Sequence, residues 1–160
     1  MVLTSVNIHA PKWCVVAALW QAVDKGVRSV NRSLTSVALL VPDYDQAIAF
    51  FTTVMRFTLL EDVALGEGKR WVRVAPAGGR GAALVLAQAA TPQQQACVGC
   101  QGGGRVMFFL ETQDFAADHA HMQAHGVHFR EAPRHEPYGT VAVFEDRWGN
   151  PWDLIGRPAA

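Results

Sequence analysis

The sequence is poor in cysteine, has no net charge and contains no long apolar stretch. Its three cysteines are too few, and odd in number, for the disulfide framework of a secreted protein, so we expect a cytoplasmic location. The 14 basic residues balance 14 acidic ones, which leaves no basic field to hold a nucleic acid. No apolar run approaches the ~20 residues of a membrane-spanning helix, so no membrane partner is expected either.

The length and composition are those of one globular domain. The chain has 160 residues, of which 50% are hydrophobic and 18% are charged. Residues 1–32 lack the regular pattern that follows and are set apart as an N-terminal extension from a domain at 33–157. Residues 13–27 have the apolar spacing of a short helix that would pack on the domain or on a partner subunit; a frayed extension is the alternative.

After the extension, the apolar pattern predicts a first βαβββ module at 33–87. Residues 34–41 are apolar and rich in β-formers, and Asp43 follows them as a candidate helix cap. An apolar stripe with i, i+3, i+4 spacing then predicts a helix over 44–55. Turns that contain glycine or proline separate three more strand-like runs, at 58–63, 70–75 and 82–87.

The same order recurs in the second half of the chain and predicts a second module at 104–156. A segment rich in Gln, Gly and Ala at 88–103 is typical of a linker. A strand at 105–110 precedes a helix over 114–125, which ends at Gly126. Further strands are predicted at 127–131, 140–145 and 152–155.

The repeat predicts an α+β fold in which each βαβββ module has one helix and a small mixed sheet. One module alone leaves a sheet edge and an apolar face uncovered. Pairing two modules would join their sheets edge to edge, place the helices outside and curve the joined sheet around a cavity. Strand residues that alternate away from the helices would then line this cavity.

The residues that form the repeat also resemble a known family. The segments LTSVALLVPDYDQAIAFF at 34–51 and GVHFREAPRHEPYGTVAVFEDRWGNPWDLIG at 126–156 are similar to the glyoxalase/bleomycin-resistance/dioxygenase superfamily, also called the vicinal oxygen chelate superfamily. The strongest part is the closing motif, FEDRWGNPWDL at 144–154. The resemblance implies the glyoxalase fold for nearly the whole domain. It also implies a homodimer, because similar proteins commonly pair.

Members of this family with known activity are mostly metal enzymes, in which His, Glu or Gln side chains from four strands hold one divalent ion. The resemblance implies that this ion binds vicinal oxygens of a substrate. Matched onto this chain, the four slots fall on Ser36, near Ala83, on Met107 and on Asp153. Only Asp153 is a metal ligand by type, so a divalent metal stays open but is disfavoured, and the residues point to no other cofactor.

Strand alternation assigns the same region a second role, as the lining of an apolar bowl. Arg105, Met107 and Phe109 face away from the second helix, with Arg105 as an anchor for a ligand carboxylate or phosphate. A salt bridge from Arg105 to Asp153 or Glu111 is the alternative. Trp71 and Arg73 share a strand face as a stacking wall and a polar anchor; core packing and a solvated arginine are the alternatives. The predicted ligand-binding residues are Ser36, Trp71, Arg73, Arg105, Met107, Phe109, His135, Tyr138 and Asp153.

Asp153 and Tyr138 are also the candidate catalytic residues. Asp153 can be a remnant metal ligand, a general base or an anchor for a ligand cation; a carboxylate bound within the sheet is the structural alternative. His135 and Tyr138 lie in a segment that borders the cavity in similar proteins, so either can contact a ligand. A purely structural turn is the alternative there.

Two other groups of potential ligands are assigned no site. His121 and His125 are four residues apart on the predicted helix, a spacing that can share a metal. No HExxH pattern is present and the helix should lie outside the bowl, so a solvated face is favoured. Cys97 and Cys100 form a single C-x-x-C with no second pair for zinc, and we interpret them as incidental linker cysteines.

The sequence therefore predicts a glyoxalase/bleomycin-resistance-like protein that binds a small hydrophobic or aromatic molecule, with the metal site largely lost. One alternative is a metal-dependent lyase or isomerase, or an extradiol-type dioxygenase, of the same superfamily. Another is a structural or regulatory homodimer whose N-terminal segment docks onto a partner. The sequence does not name the ligand, because a fold by itself does not determine a function.

Overall fold

The computed structural model of the chain describes residues 32–79 and 81–157. Nearly all of the predicted extension, including its predicted helix at 13–27, lies outside the described residues. The described residues follow the order β-α-β-β-β twice, with one short helix between the repeats. None of the helices in this part of the chain is long and apolar enough to cross a bilayer.

The first module contains one helix and four strands. Strand β1 (Ser36–Val41) leads into helix α1 (Tyr44–Ala49), where the Asp43 carboxylate accepts a hydrogen bond from the Gln46 amide at 2.9 Å. The helix continues as a wider π-helical segment over Phe50–Val54. The remaining strands are β2 (Phe57–Gly66), β3 (Lys69–Pro76) and β4 (Ala83–Gln88).

The second module repeats this arrangement after a short helix in the linker. That helix is α2 (Pro92–Cys97), and the module begins with strand β5 (Phe108–Thr112). Helix α3 (Phe115–Ala124) starts after Asp114, whose carboxylate accepts from the Ala117 amide at 3.0 Å. The remaining strands are β6 (Arg134–Glu136), β7 (Gly139–Glu145) and β8 (Pro151–Gly156).

The eight strands form two four-stranded sheets of the same topology. Their orders are β1-β4-β3-β2 and β5-β8-β7-β6. In each sheet the first pair is parallel and the others are antiparallel. The α+β fold class and the two βαβββ modules are therefore confirmed. The strands described form two sheets rather than one continuous hydrogen-bonded ladder, so each sheet keeps its own edges.

Aromatic side chains form the seam between the two modules. Phe51, in the π-helical segment, is fully buried, and its ring centroid lies 6.2 Å from that of Trp148 and 6.1 Å from that of Trp152. Phe57, at the start of β2, lies 6.5 Å from Trp152. Burial of one phenylalanine side chain contributes about 1.5–3 kcal/mol, so this seam is a substantial part of what holds the modules together.

The closing motif forms a buried turn between β7 and β8. Asp146 is 4% exposed, and its Oδ1 accepts the backbone N–H groups of Trp148 and Asn150, both at 3.0 Å. Its Oδ2 accepts from the Asn150 side-chain amide at 2.8 Å and from the Trp152 indole at 3.3 Å. Gly149 supplies the left-handed backbone of the turn, with φ +101°. The most specific part of the resemblance is thus largely a structural turn.

One predicted strand is wrong. In the segment 127–131, Phe129 makes only an isolated bridge with Phe144, and the edge strand β6 lies instead at Arg134–Glu136. The apolar side chains of Val127 and Phe129 pack against the hydrophobic core. The apolar residues that suggested a strand there are explained by this core packing.

Candidate functional site

Each sheet has one face packed against the core and one face turned away from it. Along β3, Val72 and Val74 are fully buried, whereas Trp71 and Arg73 alternate with them on the opposite side. Trp71 is 40% exposed. Trp71 and Arg73 therefore lie on the same face of the sheet, which we call the first open face. The strand pairings place on this face Ser36, Ala38, Leu40, Trp71, Arg73, Ala83, Val85 and Ala87.

Glu61 on β2 fixes both members of this pair. Its carboxylate accepts hydrogen bonds from the Trp71 indole and, at 2.9 Å, from Nη1 of Arg73. Nε of Arg73 is buried and has no hydrogen-bond partner among residues 32–79 and 81–157. An indole held in place beside a guanidinium suits a flat ring that carries a carboxylate or carbonyl oxygen.

The second sheet places an exposed aromatic ring next to a carboxylate. Phe109 on β5 lies directly opposite Asp153 on β8 and is 64% exposed, although it lies within a strand. Val143 on β7 flanks Asp153 on the other side. We call this side of the sheet the second open face. Its residues are Phe109, Glu111, Arg134, Val143, Asp153 and Ile155; Val141 shares this side of the sheet but is fully buried.

Asp153 is a carboxylate in largely apolar surroundings. Its Oδ1 is buried and has no hydrogen-bond partner within the described part of the chain. Burial raises the pKa of Asp153 above its ordinary value, and the nearby positive charge of Arg134 partly opposes this effect. Arg134 is itself paired with Glu131 and Glu136. Such a carboxyl group is well suited to accept a proton or a hydrogen bond from a ligand hydroxyl.

The strand register refines one of the four slots that the resemblance assigns. Asp153 lies opposite Phe109 in the second module. Ala38 is the counterpart of Phe109, because each precedes its capping aspartate by the same number of residues, and Ala38 lies opposite Val85. The slot expected near Ala83 is therefore occupied by Val85, which also lacks a metal-binding atom.

The four slot residues do not form a donor set for a divalent ion. Ser36, Val85 and Met107 leave Asp153 as the single carboxylate among them. Across the two described stretches, no three His, Cys, Asp or Glu side chains are grouped so that they could hold a metal ion. The donor chemistry at these positions therefore disagrees with the metal centre that the resemblance implies.

His135 is not brought to the second open face. It lies on β6 opposite Thr140, with its Nδ1 3.1 Å from the Thr140 hydroxyl, on the other side of the sheet from Asp153. Its neighbour Arg134 takes the position beside Asp153 instead. Neighbouring residues of a strand point to opposite faces, so Arg134 and not His135 shares the face of Asp153.

Three further predicted residues lie at strand ends rather than within a face. Arg105 is exposed, and with Met107 it precedes β5, which begins at Phe108 rather than at Arg105. Met107 lies close to Gly102 of the linker. Tyr138, in the turn between β6 and β7, is 57% exposed. These side chains lie outside the paired strands that carry Phe109 and Asp153.

A cleft of about 590 Å³ at the junction of the modules was not predicted. Arg56 contacts α3 there, with its Nη2 3.0 Å from Nδ1 of His121 and its Nη1 3.5 Å from the Asp118 carboxylate. The other ring nitrogen of His121 lies 3.3 Å from the Thr53 carbonyl. The predicted ligand-binding residues do not line this cleft. The one sequence feature that points to this cleft is Arg56, which directly follows a predicted helix at a position where glycine is usual.

Comparison with known proteins places this geometry in a family. A family model described as Glyoxalase/Bleomycin resistance protein/Dioxygenase superfamily matches residues 33–154. An uncharacterised protein from Shewanella frigidimarina (strain NCIMB 400) is 47% identical over 127 residues, which cover 79% of this chain and 94% of that protein. This match spans nearly the whole of that relative.

Two solved structures are similar in fold and sequence. The crystal structure of UcmS2 is 28% identical with a TM-score of 0.68, covering 79% of this chain and 98% of that chain. The crystal structure of TnmS3, an antibiotic binding protein from Streptomyces sp. CB03234, is 28% identical with a TM-score of 0.64, covering 82% of this chain and 100% of that chain. With its two modules and its family match, the chain belongs to the glyoxalase/bleomycin resistance protein/dioxygenase superfamily.

Proposed function

We propose that this chain binds a small aromatic molecule on its open sheet faces, with the metal site of the superfamily largely lost. The observation that carries the proposal is that each open face has an exposed ring beside a polar group: Phe109 with Asp153, and Trp71 with Arg73. An exposed ring within a strand offers a flat apolar surface on which an aromatic ligand can stack. The antibiotic-binding description of TnmS3 is consistent with such a role.

The two polar groups define the ligand chemistry that we propose. The side chain of Asp153 is only partly buried, and its carboxyl group suits a ligand hydroxyl or amide N–H. The guanidinium of Arg73 suits a carboxylate or carbonyl oxygen. The ligand would be a flat, largely apolar ring system with an acidic or carbonyl group at one end and a hydrogen-bond donor at the other.

The proposal includes a homodimer in the cytoplasm. The two open faces belong to separate sheets, and a second copy would supply a face opposite each of them. Apolar side chains are exposed along β2, which is an edge strand; they are Leu59, Leu60, Val63 and Leu65. The unpaired thiols of Cys97 and Cys100 are in keeping with a reducing compartment.

The binding proposal is tested with the full chain and a panel of planar aromatic compounds. The compounds differ only in whether they carry a hydroxyl group, a carboxyl group, both or neither, and affinity is measured by calorimetry. We expect the tightest binding for the compound with both groups, and loss of the hydroxyl preference in Asp153→Ala. A matched titration with Mn²⁺, Fe²⁺, Ni²⁺ and Zn²⁺ tests the metal. Stoichiometric, stabilising metal that disappears in Asp153→Ala would contradict the proposal.

A second candidate function is metal-free acid–base catalysis by Asp153. The raised pKa of Asp153 favours it, because a carboxyl group that titrates closer to neutral pH transfers protons more effectively. Tyr138 would serve as the second proton-transfer group in this case. Turnover of 2-oxoaldehyde–thiol adducts or catechols that is lost in Asp153→Asn, while the ligand still binds, would support catalysis over simple binding.

A further inference from the structure

The C-x-x-C of the linker forms a tight turn. Cys97 is the last residue of α2, and the Cys100 N–H donates to the Cys97 carbonyl at 3.1 Å. Val98 has φ −61° and ψ 126°, and Gly99 has φ +79°, which are the angles of a type II β-turn. The end Cα atoms of a β-turn lie within ~7 Å, and disulfides join Cα atoms ~4.4–6.8 Å apart. The turn therefore holds two free thiols at a separation that a disulfide can span.

This turn is docked against the module that follows it. A Cβ placed on Gly99 would lie 1.8 Å from the carbonyl oxygen of Trp148, so the backbone of Gly99 is in close contact with that residue. Sγ of Cys100 donates to the Ala96 carbonyl at 3.1 Å and therefore lies over the last turn of α2. Cys100 is exposed, so a small oxidant in solution can reach its thiol.

The residue that follows Cys100 closes the free edge of β1. Oε1 of Gln101 accepts from the Leu40 N–H at 2.9 Å, and its Nε2 donates to the Ala38 carbonyl at 2.9 Å. These are two of the edge groups that a neighbouring strand would otherwise bind. Ala38 and Leu40 both belong to the first open face. A side chain one residue from a thiol therefore fixes the strand that carries this face.

We propose that Cys97 and Cys100 form a reversible dithiol–disulfide pair and that oxidation releases Gln101 from β1. The oxidant is a low-molecular-weight disulfide. The Cys100 thiolate attacks one of its sulfurs, a small thiol leaves, and a mixed disulfide remains on Cys100. The Cys97 thiolate then attacks the Cys100 sulfur and releases a second small thiol. Two electrons and two protons pass from the protein to the oxidant, which becomes two thiols.

The release of Gln101 is inferred from which groups of the turn are free to move when the disulfide forms. To bond with Cys97, Sγ of Cys100 has to leave the Ala96 carbonyl. Gly99 cannot adjust toward Trp148, because there is no space between them. We infer that the remaining adjustment passes to the peptide between Cys100 and Gln101, the next group along the chain, and that the paired hydrogen bonds to β1 loosen. This inference does not depend on the identity of any ligand of the open faces.

The experiment uses the full chain with its third cysteine replaced (Cys14→Ser), so that only the linker pair can react. The protein is equilibrated at a series of reduced-to-oxidised glutathione ratios, quenched in acid and alkylated, and its peptides are analysed by mass spectrometry. Hydrogen exchange of the Leu40 amide is measured at both ends of the series. We expect a Cys97–Cys100 disulfide under oxidising conditions and about tenfold faster exchange at Leu40. Reduction should reverse both changes.

Two control variants test disulfide formation independently of its effect on the hydrogen bonds to β1. In Gln101→Ala the disulfide should still form, while the Leu40 amide should exchange rapidly in both redox states. In Cys97→Ser the chain should stop at a glutathione adduct on Cys100. A wild-type linker pair that stays reduced, or that yields only glutathione adducts, overturns the proposal. A disulfide that leaves Leu40 exchange unchanged overturns the coupling to β1.

Discussion

The carboxylate of Asp146 accepts a hydrogen bond from the side-chain amide of Asn150 at 2.8 Å, and both residues are almost fully buried. Asp146→Ala would leave two backbone N–H groups, this amide and the Trp152 indole without their acceptor. We expect a loss of about 3 kcal/mol in the free energy of unfolding, measured by urea titration. Asp45→Ala, in a side chain 82% exposed, is the control and should cost less than about 0.5 kcal/mol. Equal losses of unfolding free energy in Asp146→Ala and Asp45→Ala would show that the hydrogen bonds of Asp146 do not stabilise the turn.

Asp153→Asn should make stability less dependent on pH. Burial raises the pKa of Asp153 above its ordinary 3.8, so the folded state favours the protonated form and the wild type loses stability as pH rises through the folded pKa. The variant should be more stable than the wild type at neutral pH, by less than about 1 kcal/mol because solvent screens this half-buried group, and equal to it below about pH 3.5. Urea unfolding at several pH values measures the difference.

The control for Asp153 is Glu111→Gln, on the same open face. Glu111 is an exposed side chain that pairs with Arg157. We expect Glu111→Gln to show no gain in stability at neutral pH. A gain as large as that of Asp153→Asn would mean that general charge reduction, rather than burial of Asp153, causes the effect.

His119→Phe should reduce the loss of stability in mild acid. The His119 ring lies between Phe115 and Phe129, at centroid distances of 5.5 Å and 4.1 Å, and its Nε2 is buried without a partner among the described residues. Burial lowers its pKa below 6.5, so as pH falls through that value the unfolded chain gains a proton that the folded chain does not. Urea unfolding between about pH 7.5 and 5.5 should show a flatter profile for the variant. His135→Gln, at an exposed histidine, should leave the profile unchanged.

Arg56→Gly should be more stable than Arg56→Ala by about 1 kcal/mol. Both variants lose the contacts with His121 and Asp118, which contribute little because the Arg56 side chain is 57% exposed. Only glycine relieves the left-handed backbone at this position, where φ is +53°. The two free energies of unfolding are compared by urea titration. Equal stabilities would mean that the backbone at Arg56 is not strained.

Phe109→Ala and Trp71→Ala should each weaken binding of the same aromatic ligand about tenfold, as measured by calorimetry. Leu34→Ala, at a side chain 75% exposed ahead of β1, is the control and should leave affinity unchanged. If a second copy supplies the opposite face, mixing the two variants should restore about a quarter of the high-affinity sites, because half of the dimers are mixed and each has one intact site. No recovery would contradict a shared site.

The sequence predicted the elements whose apolar pattern is set locally. The two helices capped by Asp43 and Asp114 and seven of the eight strands overlap their predicted segments, and the shared face of Trp71 and Arg73 follows from simple alternation. β6 could not be predicted in this way, because Arg134–Glu136 has no apolar alternation. Its position is determined by pairing with β7, which is a tertiary interaction.

The role of Glu61 was missed for a related reason. The register of β2 shifts between Leu59 and Glu61, so that Glu61 rather than Leu60 lies opposite Arg73. Regular alternation along β2 would have placed a leucine at this position. A bulge is specified by the whole pairing of two strands, so no local pattern indicates which carboxylate reaches the indole and the guanidinium.

The aromatic seam between the sheets has a consequence for how this architecture diversifies. A continuous ladder would fix the angle between the two halves, because every backbone hydrogen bond depends on it. Contacts such as those of Phe51 with Trp148 and Trp152 depend on side-chain size and shape. Substitutions in these few rings can therefore change the angle between the halves without breaking a strand pairing. Selection could then alter the shape of a binding surface while the fold stays intact.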